Sequence, residues 1–364
     1  MDLEYPLNPV SDLHQAQTSA CIASSEDYAI CRQIMLRASK NYSTASKYLP
    51  AEKLPHVEAL YALMRVGDDR VDVSHTGFSS SSEAIDDWEA TYWQAFDQGS
   101  SPHPVMRAYL DTAIKFGIPS ETMAIYFRAM REDLTITRFP TFVDLLHYMD
   151  GSSFPAGRAM TYILGIRQGI SIDDALHGAD CLSIAMQLSN FWRDIGSDWR
   201  IGRIYIPLED MERFGYTESD LAARLINPKL INLLEFEFER TEGYYDTARP
   251  SVKFLASGNW AVMCALEIYR GIMTSIRCNH YDVFSRRAGP GNVRKIGLAL
   301  SLTGAYGKSE SMEHIRNVLT FTLPSTVIVC GQDQPFFHPA TEWIWRSWLK
   351  EPFFSSGLSC SYYL

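Results

Sequence analysis

The chain has 364 residues, of which 46% are hydrophobic and 21% are charged, and its formal net charge is −10 at pH 7. This composition predicts a folded globular protein with enough apolar residues for a large core. The excess of acidic residues argues against nucleic acid as a partner, because nucleic-acid binding needs a basic face. It does not exclude a diphosphate ligand, since bound divalent cations reverse the local sign of charge.

Cysteine usage and hydropathy predict a protein of a reducing compartment. The seven cysteines show no Cys-x-x-Cys spacing and are odd in number, which argues against a zinc site and a complete disulfide framework. The first residues lack the basic and apolar regions of a secretory signal. No stretch reaches the roughly 18 to 20 apolar residues that a membrane-spanning helix needs. We therefore expect a cytoplasmic protein without a transmembrane helix.

Helical periodicity recurs along the chain without the regular alternation of half-buried strands, so the predicted fold class is all-α. The predicted helices cover about residues 26–40, 55–73, 83–98, 104–116, 121–134, 141–149, 153–168, 171–196, 228–253, 258–284 and 291–300. No linker rich in Pro, Gly or Ser divides the chain before residue 300. We expect three parts: an irregular N-terminal segment (1–25), a helical domain (26–300) and an aromatic-rich C-terminal extension (301–364).

The C-terminal extension is rich in prolines and aromatic residues from Phe321 onwards. Aromatic side chains at this density seldom stay in water. The extension is expected to pack back onto the domain, to meet a partner, or to make a peripheral contact with a membrane surface. The sequence does not choose among these three.

An acidic pair, Asp68 and Asp72, lies in the predicted helix 55–73. A spacing of four residues puts both carboxylates on the same side of a helix. Helical steps backwards from Asp68 place Arg65 and Tyr61 on that face as well. Carboxylate oxygens suit Mg²⁺, and a guanidinium fits the oxygens of a phosphate. This face is therefore a candidate for binding a magnesium diphosphate.

A second acidic pair, Asp194 and Asp198, lies at the end of the predicted helix 171–196, and Gln187 and Asn190 share its stripe. Arg193 is adjacent and is a second candidate for contact with phosphate oxygens. Both stripes belong to otherwise apolar helices, where polar groups would face a partner or a cavity. If the two helices face each other, a diphosphate fits between them. The alternative is a pair of amphipathic helices whose acids meet water or lysines.

The runs over residues 60–72 and 187–198 resemble the two signature segments of the squalene and phytoene synthase family. The run over 202–207 resembles a third signature that follows the second acidic motif in that family. Weaker matches within 41–50, 133–148 and 268–287 extend the resemblance over roughly residues 26–300. It implies a single-domain class I isoprenoid synthase-type helical bundle with a central cavity.

The resemblance also implies a site. Two or three Mg²⁺ ions are expected, with ligands Asp68, Asp72, Asn190, Asp194 and Asp198. Diphosphate contacts are expected from Tyr61, Arg65, Gln187, Asn190, Arg193 and Arg203. Tyr42, Tyr148 and Tyr269 fall where the family has aromatic cavity residues, and the catalytic set is Asp68, Asp72, Asp194, Asp198, Tyr148 and Tyr269. Removing one acid is expected to stabilise the metal-free protein, because the carboxylates repel each other.

In this family one ionised prenyl diphosphate is attacked by the double bond of a second, which gives a head-to-head hydrocarbon. The implied function is thus coupling of two farnesyl or geranylgeranyl diphosphates to a squalene-like or phytoene-like product. NADPH, which the squalene branch uses, is neither indicated nor excluded here, because the family does not bind it through a Gly-rich strand-to-helix turn.

The segment 149–156 departs from the family pattern. It contains Phe154, Pro155 and two serines, where phytoene-type members have a small apolar kink that makes room for a prenyl chain. Two alternatives to coupling follow. In the first, the same ionisation passes the cation to a non-prenyl acceptor or cyclises it. In the second, the chain is a non-catalytic helical protein, which the survival of all four acids argues against.

Overall fold

A computed structural model describes residues 22–38, 46, 48–72 and 77–290, apart from the side chain of Asp72. The helices are α1 (Ser25–Ala38), α2 (Leu54–Asp72), α3 (Ser81–Gln98), α4 (Pro104–Phe116), α5 (Glu121–Glu132), α6 (Phe142–Ser152), α7 (Phe154–Leu164), α8 (Ile172–Arg200), α9 (Leu208–Arg213), α10 (Glu218–Ala222), α11 (Pro228–Ser251) and α12 (Asn259–Cys278). The described part of the chain contains isolated β-bridges but no strand. The predicted all-α fold is confirmed.

The long helix α8 lies at the centre, packed against α11, α7, α12 and α6. One of its faces is fixed in the core: Trp192 is fully buried, and its Nε1 donates to Oγ1 of Thr241 on α11 at 2.9 Å. Ser189 Oγ and the Tyr245 hydroxyl are hydrogen bonded at 2.8 Å on the same face. Because these buried polar groups are satisfied, the rotation of α8 about its own axis is fixed. Its other face is thereby directed towards a cavity.

Helix α2 packs against α1, α4 and α3. Its apolar residues Val57, Leu60 and Leu63 are buried, and Trp88 of α3 donates its Nε1 hydrogen to the Leu63 carbonyl at 3.2 Å. A hydrogen bond from the side chain of one helix to a backbone carbonyl in the middle of another requires close packing of the two helices. The face of α2 that carries Tyr61, Arg65 and Asp68 is left for the cavity.

The largest differences between the predicted and the observed helix ends occur in three helices. Helix α8 runs to Arg200 rather than stopping at Gly196, because Gly196 serves close packing: a Cβ there would lie 2.7 Å from the Val283 carbonyl oxygen. The predicted helices 153–168 and 258–284 end early, at Leu164 and Cys278. The short helices α9 and α10 were not predicted, and the predicted helix 291–300 lies outside the described residues.

Within the described residues, no helix is both long and apolar enough to span a membrane. Tyr42, the N-terminal residues 1–21 and the C-terminal extension lie outside the described residues, so the expectations for them stay predictions.

Glu58 on α2 generates a prediction about stability. Its side chain is 6% exposed, and it pairs with Arg32 at 3.8 Å. Burial raises the pKa of Glu58 from 4.5 to about 7, although Arg32 opposes the shift. Because the folded state holds this proton more tightly, the carboxyl lowers the free energy of unfolding as pH rises from about 4.5 through 7. Glu58→Gln should remove this component, which is worth roughly 3 kcal/mol.

The measurement is urea unfolding of wild type and variant between pH 5 and pH 8. The gain in stability of Glu58→Gln over wild type should be larger at pH 8 than at pH 5. Glu52→Gln, at an exposed position just before α2, is the matched control and should show no such trend. Parallel pH profiles for wild type and Glu58→Gln would contradict the assignment.

Candidate active site

A cavity of about 430 Å³ lies between α2, α7, α8, α11 and α12. Its lining includes six of the residues predicted for the site: Tyr61, Arg65, Asp68, Gln187, Asn190 and Tyr269. The sequence could not tell whether the two polar stripes face each other. In the structure the stripe of α2 and the stripe of α8 line the same cavity.

Asp68 is positioned by Tyr126 of α5. The buried Tyr126 hydroxyl donates to Asp68 Oδ1 at 3.0 Å and lies 2.6 Å from the Met64 carbonyl oxygen. Gly67 makes this approach sterically feasible, since a Cβ there would lie 2.2 Å from the Tyr126 hydroxyl oxygen. Burial raises the pKa of Tyr126 well above 10, so the hydroxyl keeps its proton. The carboxylate of Asp68 is thus positioned at the cavity wall by a protonated hydroxyl whose one hydrogen is shared with the Met64 carbonyl oxygen.

Arg65 forms an ion pair with Asp69, one helical turn further along α2. Both side chains are more than a third exposed, so the pair orients the guanidinium more than it stabilises the fold. Asp69 therefore lies beside the site rather than in the cavity lining. Arg70, from the same motif, turns away and donates to the Ala84 carbonyl and to Asp87, both at 2.7 Å.

Asp194 is paired with two arginines. Arg193 donates to it from the neighbouring position, and Arg287 makes a two-pronged contact, with Nε at 2.8 Å from Oδ1 and Nη2 at 2.9 Å from Oδ2. Burial raises the pKa of Asp194, but the two guanidinium groups outweigh burial and hold this pKa below its usual value. Asp194 is therefore ionised and strongly held.

Asp198 lies one turn further along α8, in a different electrostatic setting. Burial, followed by the negative charge of Asp194, raises the pKa of Asp198 to about 7. Arg203 and Arg193 oppose the shift without cancelling it. The end of α8 thus carries two acids, of which one is neutralised by arginines and the other is not fully ionised at neutral pH.

Tyr148 and Arg203 meet at Asp133. The Tyr148 hydroxyl donates to Asp133 Oδ1 at 2.9 Å, and Arg203 Nη2 lies 2.8 Å from Oδ2 and 3.0 Å from the Asp133 carbonyl oxygen. Tyr205 stacks on Phe191 of α8 with the ring centroids 4.0 Å apart. None of these residues lines the cavity. They form a buried cluster beneath the Asp198 end of α8, and Arg203 lowers the pKa of Asp198 electrostatically.

The predicted residues therefore form two groups, one at the cavity and one at the end of α8. Tyr269 connects them: it lines the cavity, and after burial the charges of Arg193, Arg287 and Asp194 are what act on its pKa, which remains raised. Asp72 lies at the end of α2, and its side chain is outside the described part.

The sequence analysis gave no role to three residues that position the site in the structure: Tyr126, Asp133 and Arg287. Tyr126 lies 58 positions from Asp68, and Arg287 lies 93 positions from Asp194. No helical periodicity links residues so far apart. For Asp133 and Arg287 the available signal was their location inside segments that match the family weakly.

The donor set of this site fits Mg²⁺ by its chemistry. Carboxylate and amide oxygens are the ligands this ion prefers, and Asp68 and Asn190 line the same cavity from different helices. The raised pKa of Asp198 reflects burial and the nearby charge of Asp194, a repulsion that a divalent cation would relieve. In the described part of the chain, no three acidic, histidine or cysteine side chains already form a metal-ligand cluster.

Comparisons with known proteins agree with this geometry. The sequence profile described as squalene/phytoene synthase matches residues 35–294. The 15-cis-phytoene synthase of Synechocystis is 31% identical over 277 residues, which cover 74% of this chain and 82% of that protein.

Two solved structures share the fold. A dehydrosqualene synthase in complex with ligand superposes with a TM-score of 0.69 at 26% identity, covering 77% of this chain and 96% of that one. A squalene synthase from Alicyclobacillus acidocaldarius gives a TM-score of 0.64 at 27% identity, covering 71% and 95%. The resemblance found in the sequence is confirmed, and the chain belongs to the squalene/phytoene synthase family, whose members are prenyltransferases.

Proposed function

We propose that this protein is a magnesium-dependent prenyltransferase that ionises an allylic prenyl diphosphate, farnesyl or geranylgeranyl, and couples two of them head to head to a squalene-like or phytoene-like hydrocarbon. The observation that carries this proposal is the two-part character of the cavity. One acid (Asp68), two amides and a guanidinium line one end, and mostly apolar side chains with several hydroxyl groups line the rest. An allylic diphosphate has the same two parts.

The polar end supplies the groups that leaving-group departure needs. Arg65, oriented by Asp69, offers a fork of donors to phosphate oxygens, and Gln187 and Asn190 offer amide donors and acceptors from the facing helix. Mg²⁺, when bound by Asp68, Asp72, Asn190, Asp194 and Asp198, would neutralise the charge that builds on the diphosphate. If the metal replaced Arg193 and Arg287 as the partner of Asp194, the two arginines would be free to contact the diphosphate.

The apolar part suits the carbocation that remains. Leu60, Met64, Leu164, Leu182 and Met186 are among its lining residues, and such walls exclude the water that would quench a cation. Tyr269 adds an aromatic ring at the junction with the charged end, and an aromatic face stabilises positive charge. Tyr148, as part of the Asp133 cluster, would act by holding Arg203 and the end of α8 in place.

Coupling requires space for a second chain. A smaller cavity of about 50 Å³ adjoins the first, and the two share Met160, Met186, Val262, Ala265 and Tyr269 as lining residues. Methionine side chains are unbranched and adapt their shape readily. Movement of Met160 and Met186 would merge the two cavities, which supports a site for two prenyl chains.

One observation favours the alternative in which the cation reaches another acceptor or is cyclised. The junction of α6 and α7, which departs from the family pattern, brings Ser152 and Ser153 to the cavity wall. Among the described residues the buried Ser152 Oγ has no hydrogen-bond partner. A buried hydroxyl without a partner is costly, and a polar group on a bound acceptor would satisfy it.

Product analysis separates these two functions. The protein is incubated with geranyl, farnesyl or geranylgeranyl diphosphate and Mg²⁺, with and without NADPH, and the organic extract is analysed by mass spectrometry. Coupling predicts a hydrocarbon with twice the carbon number of its substrate. Diphosphate release without such a product would favour the alternative, and no magnesium-dependent turnover of any prenyl diphosphate would overturn both.

The carboxylates give a prediction about turnover. Asp68→Asn and Asp194→Asn should each lower the rate of diphosphate release at least ~100-fold, the scale observed when one stabilising group is removed from a transition-state site. Asp174→Asn, at an exposed position in the first turn of α8, is the matched control and should keep the wild-type rate. A coupled phosphate assay measures all three. Near-normal release by Asp68→Asn would show that the site has been misassigned.

The two acids of α8 should differ in their effects on stability. Asp194→Asn leaves the buried Arg193 without its carboxylate partner and should cost roughly 3 kcal/mol. Asp198→Asn removes a charge that burial and Asp194 disfavour, so above pH 7 it should raise the melting temperature of the metal-free protein. For these two acids, the sequence-based expectation that removing an acid stabilises the metal-free protein is therefore retained for Asp198 and replaced for Asp194.

Thermal unfolding in EDTA at pH 8 tests this difference. Added Mg²⁺ should raise the melting temperature of wild type more than that of Asp198→Asn, because the ion stabilises the state that binds it. Equal melting temperatures for the two variants in EDTA would argue against the charge arrangement described at the end of α8.

A further inference from the structure

The end of the cavity far from the acids is closed by a rigid floor. Leu164 and Leu255 line the cavity there, and the segments that carry them are cross-linked by hydrogen bonds. These bonds run from Ala256 N to the Gly165 carbonyl at 2.9 Å, from Arg167 N to the Phe254 carbonyl at 2.8 Å, from Arg167 Nε to the Leu255 carbonyl at 2.9 Å and from Ser257 Oγ to the Leu164 carbonyl at 2.8 Å. Because these hydrogen bonds join the two segments, the floor cannot move away to admit a longer ligand.

The wall of the cavity along α8 is a stripe of small and polar residues at helical spacing. Towards the floor it contains Ala175, Gly178 and Ala179, and it continues through Ser183 and Gln187 to Asn190. Gly178 allows this wall to pack tightly on α11, since a Cβ there would lie 2.1 Å from Ser251 Cβ. At 1.5 Å per residue the stripe from Ala175 to Asn190 is roughly 22 Å long.

This length can be compared with that of a prenyl chain. Carbon–carbon bonds of about 1.5 Å give roughly 5 Å per extended isoprene unit, so four units span roughly 20 Å and three span roughly 15 Å. A chain of four units would reach from the polar end to the floor. A chain of three units would leave one unit of length unfilled beside Ala175.

We propose that this stripe of α8 determines the maximum length of the bound prenyl chain. The channel takes four isoprene units, and Ala175 and Ala179 are the positions that set this maximum length. The two residues are one helical turn apart, or roughly 6 Å, which is close to one isoprene unit. A bulky side chain at Ala175 removes the deepest unit of the channel. One at Ala179 removes the next as well. The inference rests on the proposed function in that it takes a prenyl diphosphate to be the ligand.

The test uses unreactive thiolodiphosphate analogues with two, three or four isoprene units, titrated calorimetrically into the full-length protein with Mg²⁺. Wild type should bind the four-unit analogue at least tenfold more tightly than the two-unit analogue. Ala175→Phe should weaken binding of the four-unit analogue at least tenfold and change that of the three-unit analogue less than threefold. Ala179→Phe should weaken both at least tenfold and leave the two-unit analogue within threefold.

His177→Phe is the matched control, because His177 is exposed on the same helix between the two positions and does not line the cavity. It should leave all three affinities within threefold of wild type. Retained binding of the two-unit analogue shows that each variant is folded, and Ala179→Leu replaces Ala179→Phe if the latter does not fold.

The possible failures are distinguishable. Wild type that binds the three-unit analogue as tightly as the four-unit one, or variants that weaken all lengths equally, would overturn the chain-length proposal and leave the proposed function standing. Wild type that binds none of the analogues would overturn both.

Discussion

Burial of negative charge at the end of α8 is the constraint on which the rest of this structure depends. Asp194 and Asp198 project from a helix whose opposite face is locked into the core by Trp192 and Ser189. Water cannot fully solvate them there, and a buried carboxylate without a partner is costly. The surrounding structure must therefore supply cations, and the different states of the two acids show how far it does so.

The arginines that meet this need also organise the surrounding chain. Arg287 belongs to the segment that follows α12. This segment packs closely on α8, and the Gly196 amide of α8 donates to its Val283 carbonyl at 3.2 Å. Arg203 reaches the same region from the loop after α8 and is fixed by Asp133, which in turn holds Tyr148. Protein cations balance Asp194 but leave Asp198 with a pKa of about 7. Asp198 is therefore the acid at this end of α8 whose charge a bound cation would compensate most.

The sequence predicts the parts of this arrangement that depend on a single helix. The stripes of α2 and α8, including Arg65, Asp68, Gln187 and Asn190, follow from helical periodicity alone, and the structure has them lining one cavity. Partners from distant parts of the chain, such as Arg287 for Asp194 and Tyr126 for Asp68, could not be found this way. Short elements were missed for a related reason: α10 has five residues and is set by a local capping box at Thr217 and Asp220 rather than by periodicity.

The central claim is that α2 and α8 hold a magnesium diphosphate between them. Its most direct measurement is a crystal structure with Mn²⁺ and an unreactive prenyl thiolodiphosphate, with the metal located by anomalous scattering. The account predicts anomalous peaks between the Asp68 face of α2 and the Asn190–Asp198 face of α8, with the prenyl chain in the cavity. A bound analogue whose diphosphate and metals lie away from both faces would contradict it.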